Sequence, residues 1–165
     1  MDQLKHAIAT VGGIGHLAPA PGTWASAAAL PLALLLFWIG GPWLVVLATL
    51  AAIPAGAWAA LHEIAVSRSH DPGHVVIDEV AGQWIALLPV LFGAKAAGVP
   101  VTALWPGWLA AFVLFRLFDI WKPGPVGWAD RRGDVAGLMA DDLIAGVMAA
   151  FGVALLAWLA HRAFT

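Results

Sequence analysis

Residues 24–61 read WASAAALPLALLLFWIGGPWLVVLATLAAIPAGAWAAL and contain no Asp, Glu, Lys or Arg. One membrane-crossing helix needs only about 20 apolar residues, so this stretch is long enough for two. The triplet Gly40-Gly41-Pro42 lies near its middle and is typical of a tight turn. We therefore predict two adjoining helices, over residues 24–39 and 43–61.

Three later stretches also lack charged side chains, at residues 80–94, 96–115 and 143–160. They predict three further helices, over residues 80–97, 103–120 and 142–160. The helix at 80–97 has a short apolar centre and contains Pro89, so it can be a full span or a kinked, tilted or partly re-entrant element. The predicted fold class is all-α: a polytopic membrane helical bundle with about five transmembrane or membrane-embedded helices, in a single domain over residues 1–165.

The composition supports a membrane protein and excludes several function classes. Apolar residues make up 62% of the chain and charged residues 11%, against about 45–50% and 25% in soluble domains. The formal net charge is −2, so the chain lacks the strongly cationic surface that nucleic-acid binding requires. Cysteine is absent, which excludes disulfides, thiolate zinc sites and cysteine nucleophiles. Residues 7–14 lack the apolar core of a signal peptide, so we expect the N-terminal segment to be retained.

Five crossings place the N-terminus and the loops 62–79 and 121–141 on one side of the membrane. The basic residues on that side are Lys5, Arg68, Arg116, Lys122, Arg131 and Arg132. The other side holds only Lys95 and Arg162. Because an excess of Lys and Arg marks cytoplasmic loops, the N-terminus is predicted to be cytoplasmic. In this topology every Asp and Glu of the chain lies on the cytoplasmic side as well.

The first polar segment on that side lies just before the first long helix. Pro21-Gly22-Thr23 predicts Thr23 as a helix N-cap, with Ser26 three residues later. A second interpretation is that this glycine turn and the free N–H groups of the helix start bind a phosphate. The two interpretations are compatible.

The second polar segment leads into the helix at 80–97. Asp78 and Glu79 are expected in its first turn, where the helix dipole alone stabilises carboxylates. Adjacent acids bordering an apolar span also favour a bound cation, because they are costly to draw into the membrane unpaired. The histidines of this region match no zinc-site spacing and are interpreted as surface or hydrogen-bonding residues: His62, His70 and His74.

The third polar segment runs from the end of one predicted helix to the start of the next. Arg116, Asp119 and Lys122 follow a helical i, i+3 spacing, which fits either a structural ion-pair ladder or a charged functional face. Arg131 and Arg132 follow after a Pro-Gly-Pro turn. Asp141 and Asp142 come at the predicted start of the last helix, where capping is the simpler interpretation.

These segments together suit phosphoryl chemistry. Carboxylates are the ligands that Mg²⁺ prefers, and Arg and Lys bind phosphorylated groups. Bound Mg²⁺ polarises a phosphoryl oxygen or activates a water molecule. The residues therefore predict a metal-assisted phosphoryl enzyme that acts on a lipid head group at the cytoplasmic face.

Four blocks of this sequence resemble the phosphatidylglycerophosphatase A family over nearly the whole chain. They are APGTWAS at 20–26, DPGHVVIDEVAGQW at 71–84, FRLFDIWKPGP at 115–125 and DDLIAG at 141–146. One departure is the stretch 132–137, where the family usually has a double glycine. No phosphate-binding role is carried over to Asp134 or Val135.

The resemblance implies an all-helical enzyme of the bacterial cytoplasmic (inner) membrane that converts phosphatidylglycerophosphate to phosphatidylglycerol and inorganic phosphate with Mg²⁺. This is the last step of phosphatidylglycerol synthesis, and membrane lipids are the other implied partners. By motif position and residue chemistry, the expected metal ligands are Asp78, Glu79, Asp141 and Asp142. The expected catalytic residues are Asp78, Asp119, Asp141 and Asp142. The expected substrate-binding residues are Thr23, Ser26, Arg116, Lys122, Arg131 and Arg132.

Two other functions remain open at the level of sequence. A metal-dependent lipid phosphotransferase would need the same metal and the same membrane face. A transporter or ion-binding membrane protein would carry ionisable residues inside its helices, whereas the predicted spans have few.

Overall fold

The computed structural model of the chain describes residues 1–69 and 72–164. The α-helices of this part are α1 (Asp2–Ala9), α2 (Pro21–Ser67), α3 (Ile77–Ala97), α4 (Trp105–Trp121), α5 (Pro125–Asp130) and α6 (Val135–Phe164). Short 3₁₀ turns at Ile14–His16 and Val101–Leu104 precede α2 and α4. The described residues contain no β-strand, so the predicted all-α class is confirmed.

Helix α2 folds back on itself at Gly41. This glycine adopts φ 70° and ψ −168°, a left-handed region that residues with a Cβ rarely enter. The two predicted helices 24–39 and 43–61 are thus the arms of one 47-residue element, and the predicted break between them is confirmed. The arms form a hairpin, because Gly22 and Gly56 lie near the start of α3 whereas Trp43 packs edge-on against Phe92 near its end.

Helix α3 lies at the centre of the bundle, in contact with α2, α4 and α6. It continues through Pro89 over 21 residues, or about 31 Å, the thickness of a bilayer's hydrocarbon core. The expectation of a full span, rather than of a short re-entrant element, therefore fits its length. The indole N–H of Trp84 donates to the carbonyl oxygen of Ala29 at 2.9 Å and joins α3 to the first arm of α2.

The backbones of α3 and α6 touch at two glycines. A Cβ on Gly146 would lie 2.4 Å from the carbonyl oxygen of Gly82, and one on Gly82 would lie 2.6 Å from the carbonyl oxygen of Asp142. Phe115 of α4, which is fully buried, packs on the same point. Small residues at such crossings let membrane helices approach closely.

Four helical segments of the described chain are long and apolar enough to cross a membrane: Pro21–Ser67, Ile77–Ala97, Val101–Trp121 and Val135–Ala163. Their outward surfaces carry large apolar side chains such as Trp38, Leu109 and Phe151, each more than half exposed. A water-facing surface rarely exposes so many. The prediction of a membrane helical bundle is therefore confirmed. The last helix begins at Val135, not at residue 142 as predicted, and the short helices α1 and α5 were not predicted.

Candidate active site

A polar cavity of about 210 Å³ opens at the end of the bundle where α2, α3 and α6 begin and α4 ends. Its wall includes the backbone of Pro21 and Gly22 and much of the chain's charge. The charged residues that line it are Asp78, Glu79, Asp119, Lys122, Asp130, Asp134, Asp141 and Asp142. The predicted gathering of acidic residues from distant segments at one end of the bundle thus agrees with the structure.

Three of these carboxylates converge. One oxygen from each of Asp78, Glu79 and Asp142 lies within 4.8 Å of the other two. Asp78 and Asp142 are 5% and 4% exposed, and neither Glu79 Oε2 nor Asp142 Oδ1, both buried, has a hydrogen-bond partner among the described residues. Buried carboxylate oxygens without partners are costly unless a cation compensates them. The donor set and its unpartnered oxygens therefore fit a hard divalent cation such as Mg²⁺.

The helix starts explain how these acids are held. Asp78 and Glu79 occupy the first turn of α3, as predicted, and the amide of Glu79 donates to Asp78 Oδ1 at 3.0 Å. Asp142 lies in the second turn of α6, so the prediction that the acid pair starts and caps this helix is wrong. Asp134 caps it instead, since its Oδ1 accepts the N–H of Gly137 at 2.7 Å.

Asp141 faces a lysine and not the three-carboxylate group. Its Oδ2 lies 2.7 Å from Lys122 Nζ, which also forms an ion pair with Asp130. Partial burial disfavours the charged form of Lys122, but its bonds to Asp130 and Asp141 outweigh this and raise the pKa of the ammonium group. Lys122 is therefore a fixed positive charge on the cavity wall. Asp130 was not among the predicted site residues, because its position depends on the turn at 122–124 and on α5.

Arg116 lies beside the cavity wall and joins two helices. Its guanidinium Nη1 is 2.6 Å from Asp119 and 3.5 Å from the hydroxyl oxygen of Ser26, which itself donates to the carbonyl oxygen of Gly22 at 2.8 Å. The first step of the predicted ion-pair ladder is thus present, but Lys122 pairs elsewhere and does not continue it. Arg116 Nε is buried without a hydrogen-bond partner among the described residues.

The expectation that Thr23 caps the first long helix is wrong. Helix α2 begins at Pro21 and its N-cap residue is Ala20, which makes no side-chain capping bond. Proline suits the first helical position because its missing N–H is not needed there. Gly22 and not Thr23 lines the cavity, and a Cβ on Gly22 would lie 2.2 Å from Glu79 Oε1. The substrate-binding roles of Thr23 and Ser26 stay predictions.

The two arginines of the 131–132 pair do not line the cavity. Arg132 pairs with Asp134 at 3.0 Å, and Arg131 is exposed with its guanidinium against Gly127. The hydrogen bond between Arg132 and Asp134 raises the pKa of the guanidinium and lowers that of the carboxyl group. Their predicted contacts with substrate stay predictions.

Two of the three histidines interpreted from the sequence, His62 and His74, lie among the described residues. His74 contacts Glu63 at 2.7 Å, and His62 lies 4.0 Å from Asp2, so the hydrogen-bonding interpretation fits His74. His70 and Asp71, which belong to the predicted motif, lie outside the described residues. Two histidines not singled out from the sequence, His6 and His16, lie next to His74.

Comparisons with known proteins identify a family of similar sequences. The family model described as phosphatidylglycerophosphatase A matches residues 7–157. Phosphatidylglycerophosphatase A of Escherichia coli is 36% identical over 154 residues, which cover 91% of this chain and 81% of that protein. The Haemophilus influenzae protein of the same name is 34% identical over 145 residues, or 87% and 83% of the two chains.

A protein of Bacteroides thetaiotaomicron, with a provisional name as a phosphatidylinositol-3-phosphatase, is 38% identical over 106 residues, or 64% of this chain and 60% of that protein. No solved structure matches the chain.

Proposed function

The chain belongs to the phosphatidylglycerophosphatase A family, and we propose that it hydrolyses the phosphomonoester of phosphatidylglycerophosphate to phosphatidylglycerol and inorganic phosphate. The observation that carries this proposal is the three-carboxylate group of Asp78, Glu79 and Asp142, which opens into a cavity that also holds a fixed ammonium group. A phosphate head group carries the opposite charge to the bound cation and to Lys122. The bundle offers its apolar surface to the acyl chains.

We propose that Asp78, Glu79 and Asp142 hold Mg²⁺. The unpartnered oxygens of Glu79 and Asp142 support this, because each can accept a cation without breaking an existing hydrogen bond. When bound, Mg²⁺ would supply Lewis-acid polarisation of the phosphoryl group. We propose Asp141 as a fourth ligand, which requires its carboxylate to release Lys122 when substrate binds.

The basic residues bind and neutralise the phosphate. Lys122, held by Asp130 and Asp141, presents an ammonium group to the cavity, and Arg116 lies beside Gly22 with a free Nε. Charge-assisted hydrogen bonds from such groups stabilise the negative charge of the reacting phosphate and of the released one. Asp119 orients Arg116 through their ion pair.

Two groups can attack phosphorus in this arrangement. One is a carboxylate of the site, which would form an acyl-phosphate that water then hydrolyses, and the other is a water molecule directly. Brief reaction with labelled substrate followed by acid quenching distinguishes them. Label retained on the protein indicates the carboxylate, whereas label found only in free phosphate indicates water.

The direct test uses the purified protein in detergent micelles containing phosphatidylglycerophosphate. We expect phosphate release that requires Mg²⁺ and stops on chelation. Asp142→Asn and Asp78→Asn should lower the rate to background, whereas Asp2→Asn, which changes an exposed acid that does not line the cavity, should not. Activity that survives thorough chelation would refute the metal site.

Product analysis tests the alternative of a lipid phosphotransferase. Transfer of a head group without free phosphate would replace hydrolysis as the activity. Phosphatidylinositol 3-phosphate is a useful second substrate, because one relative is named for it. We expect slower turnover of this lipid, since its phosphate is attached to a bulky ring and not to a terminal carbon.

We propose further that the cavity faces the cytoplasm at the bacterial inner membrane. The excess of Lys and Arg at the cavity end of the chain supports this orientation. The chain has no cysteine, so Leu4→Cys and Arg162→Cys each introduce a single reactive thiol. We expect an impermeant thiol reagent applied from outside to label position 162 and not position 4. Equal labelling of both would refute the five-crossing topology.

A further inference from the structure

A second cluster of metal-ligand side chains lies outside the acidic cavity, beside the end of α2. It consists of His6 from α1, Glu63 from α2 and His74 from the loop before α3. Glu63 is 5% exposed, and each of its oxygens contacts one imidazole. Oε1 lies 3.1 Å from His6 Nδ1, and Oε2 lies 2.7 Å from His74 Nε2. One ligand atom from each residue lies within 4.8 Å of the others.

A third imidazole completes this cluster. His16 stacks on His6 and on His74, with ring centroids 5.2 and 5.5 Å apart, and its Nε2 lies 3.1 Å from His6 Nε2. Two ligand atoms bound to one tetrahedral zinc ion, with bonds of about 2.0–2.1 Å, are roughly 3.3 Å apart. The two 3.1 Å contacts are close to this value, whereas the 2.7 Å contact between Glu63 and His74 is a hydrogen-bond distance that metal binding would lengthen. Side chains from three separate segments of the chain therefore already converge as ligands do.

The ligand types differ from those of the acidic cavity. The cavity group is made of carboxylates alone, which suit Mg²⁺, whereas two imidazoles with one carboxylate suit ions of the first transition series. His₂Glu is a known zinc ligand set that leaves a fourth position open. The two clusters are therefore expected to bind different metal ions.

We propose that His6, Glu63 and His74 form a binding site for a divalent transition-metal ion of the Zn²⁺ and Co²⁺ class, separate from the Mg²⁺ site. The ion joins α1, the end of α2 and the loop that leads to Asp78. That loop is already tied to α1, because the N–H of Val76 donates to the carbonyl oxygen of Ala9 at 2.8 Å. Metal binding fixes the loop on both sides of His74, where Gly73 and Val75 line the acidic cavity.

Cobalt is the most direct probe, because Co²⁺ bound by nitrogen and oxygen ligands absorbs visible light. The full chain is purified in detergent with an affinity tag free of histidine, stripped with a chelator and titrated with CoCl₂ in excess MgCl₂. The excess Mg²⁺ saturates the carboxylate site. We expect absorption bands that saturate at one equivalent of Co²⁺ and disappear on addition of one equivalent of Zn²⁺.

Variants assign the ligands. His6→Ala and His74→Ala should each weaken Co²⁺ binding by at least about tenfold, and Glu63→Gln should do the same. The His6 side chain is 47% exposed, so its loss should leave the fold intact, but Glu63 Oε1 loses this contact and the metal-free variant should melt at a somewhat lower temperature. His62→Ala and Asp142→Asn are matched controls outside the cluster and should bind Co²⁺ as the parent does.

Two results would overturn the proposal. One is the absence of Co²⁺ absorption in the parent protein at one equivalent. The other is equal Co²⁺ affinity in the parent and in a folded His6→Ala variant. Neither result depends on phosphatase activity, so failure of the proposed function would leave this test unaffected.

Discussion

Replacement of Gly146 by alanine tests whether the contact between α3 and α6 holds the acidic site together. The new Cβ would lie 2.4 Å from the carbonyl oxygen of Gly82, about 1 Å short of ordinary contact. A backbone oxygen cannot rotate away, so the helices must separate. Gly82 follows Asp78 by one helical turn and Gly146 follows Asp142 by one turn, so the separation moves the two carboxylates apart.

The expected effects are large in activity and moderate in stability. A misplacement of 1 Å in an active site can lower the rate by about a hundredfold, and overpacking of this kind destabilises proteins by about 1–3 kcal/mol. We therefore expect Gly146→Ala to fold, to melt at a lower temperature and to release phosphate about a hundredfold more slowly at saturating Mg²⁺.

The assay compares phosphate release per folded molecule, with folding checked by size exclusion and thermal melting. Gly93→Ala is the matched control, since it makes the same change in α3 where a Cβ would meet nothing within 4 Å. It should be close to the parent in both measurements. Parent-like turnover of Gly146→Ala would refute the view that this helix contact sets the spacing of the carboxylates.

Three further predictions concern the cavity wall. Gly22→Ala places a methyl group 2.2 Å from Glu79 Oε1. Because the Glu79 side chain can turn aside, we expect little change in melting temperature. An activity titration should show that the variant needs a higher Mg²⁺ concentration. Lys122→Met removes an ammonium group from the cavity wall, and steady-state kinetics on mixed micelles should show about a hundredfold lower kcat/KM, with partial recovery in Lys122→Arg. The hydrogen bond with Arg132 lowers the pKa of Asp134, so the contribution of this carboxylate to stability is complete above about pH 3.9 and is lost as the pH falls through the lowered pKa. Melting curves of Asp134→Asn should lack this part of the acid dependence. An acid dependence equal to that of the parent would contradict the prediction.

Much of the helix pattern could be predicted because charge is so sparse in this chain. Uninterrupted apolar runs marked α2, α3, α4 and α6, and Gly40-Gly41-Pro42 marked the bend. Counting crossings also placed Asp78 and Asp142 at the same end, although 64 positions separate them in the chain. The rule that predicted this needs only an even number of crossings between the two residues, here the two made by α3 and α4.

The local details could not be predicted because they depend on contacts between distant segments. Thr23 looked like an N-cap, but Pro21 starts α2 two residues earlier. Asp141 was expected at the start of the last helix, as a cap or a metal ligand, and its contact between Oδ2 and Lys122 could not be foreseen from spacing. Spacing alone also misses His6 and Glu63, which meet across 57 positions of sequence.

The bend at Gly41 also bears on how the chain enters a bilayer. The two arms of α2 leave one end of the bundle and return to it, so this segment can insert as a single hairpin with its apex first. No charged residue between Trp24 and Leu61 has to pass through hydrocarbon, where each would cost about 2.5–3.5 kcal/mol at the centre of a helix. Gly22 lines the acidic cavity and Glu63 belongs to the cluster with His6 and His74. Both stay on the side from which the hairpin enters. Insertion of α2 therefore requires no translocation of the polar side chains that surround the two proposed metal sites.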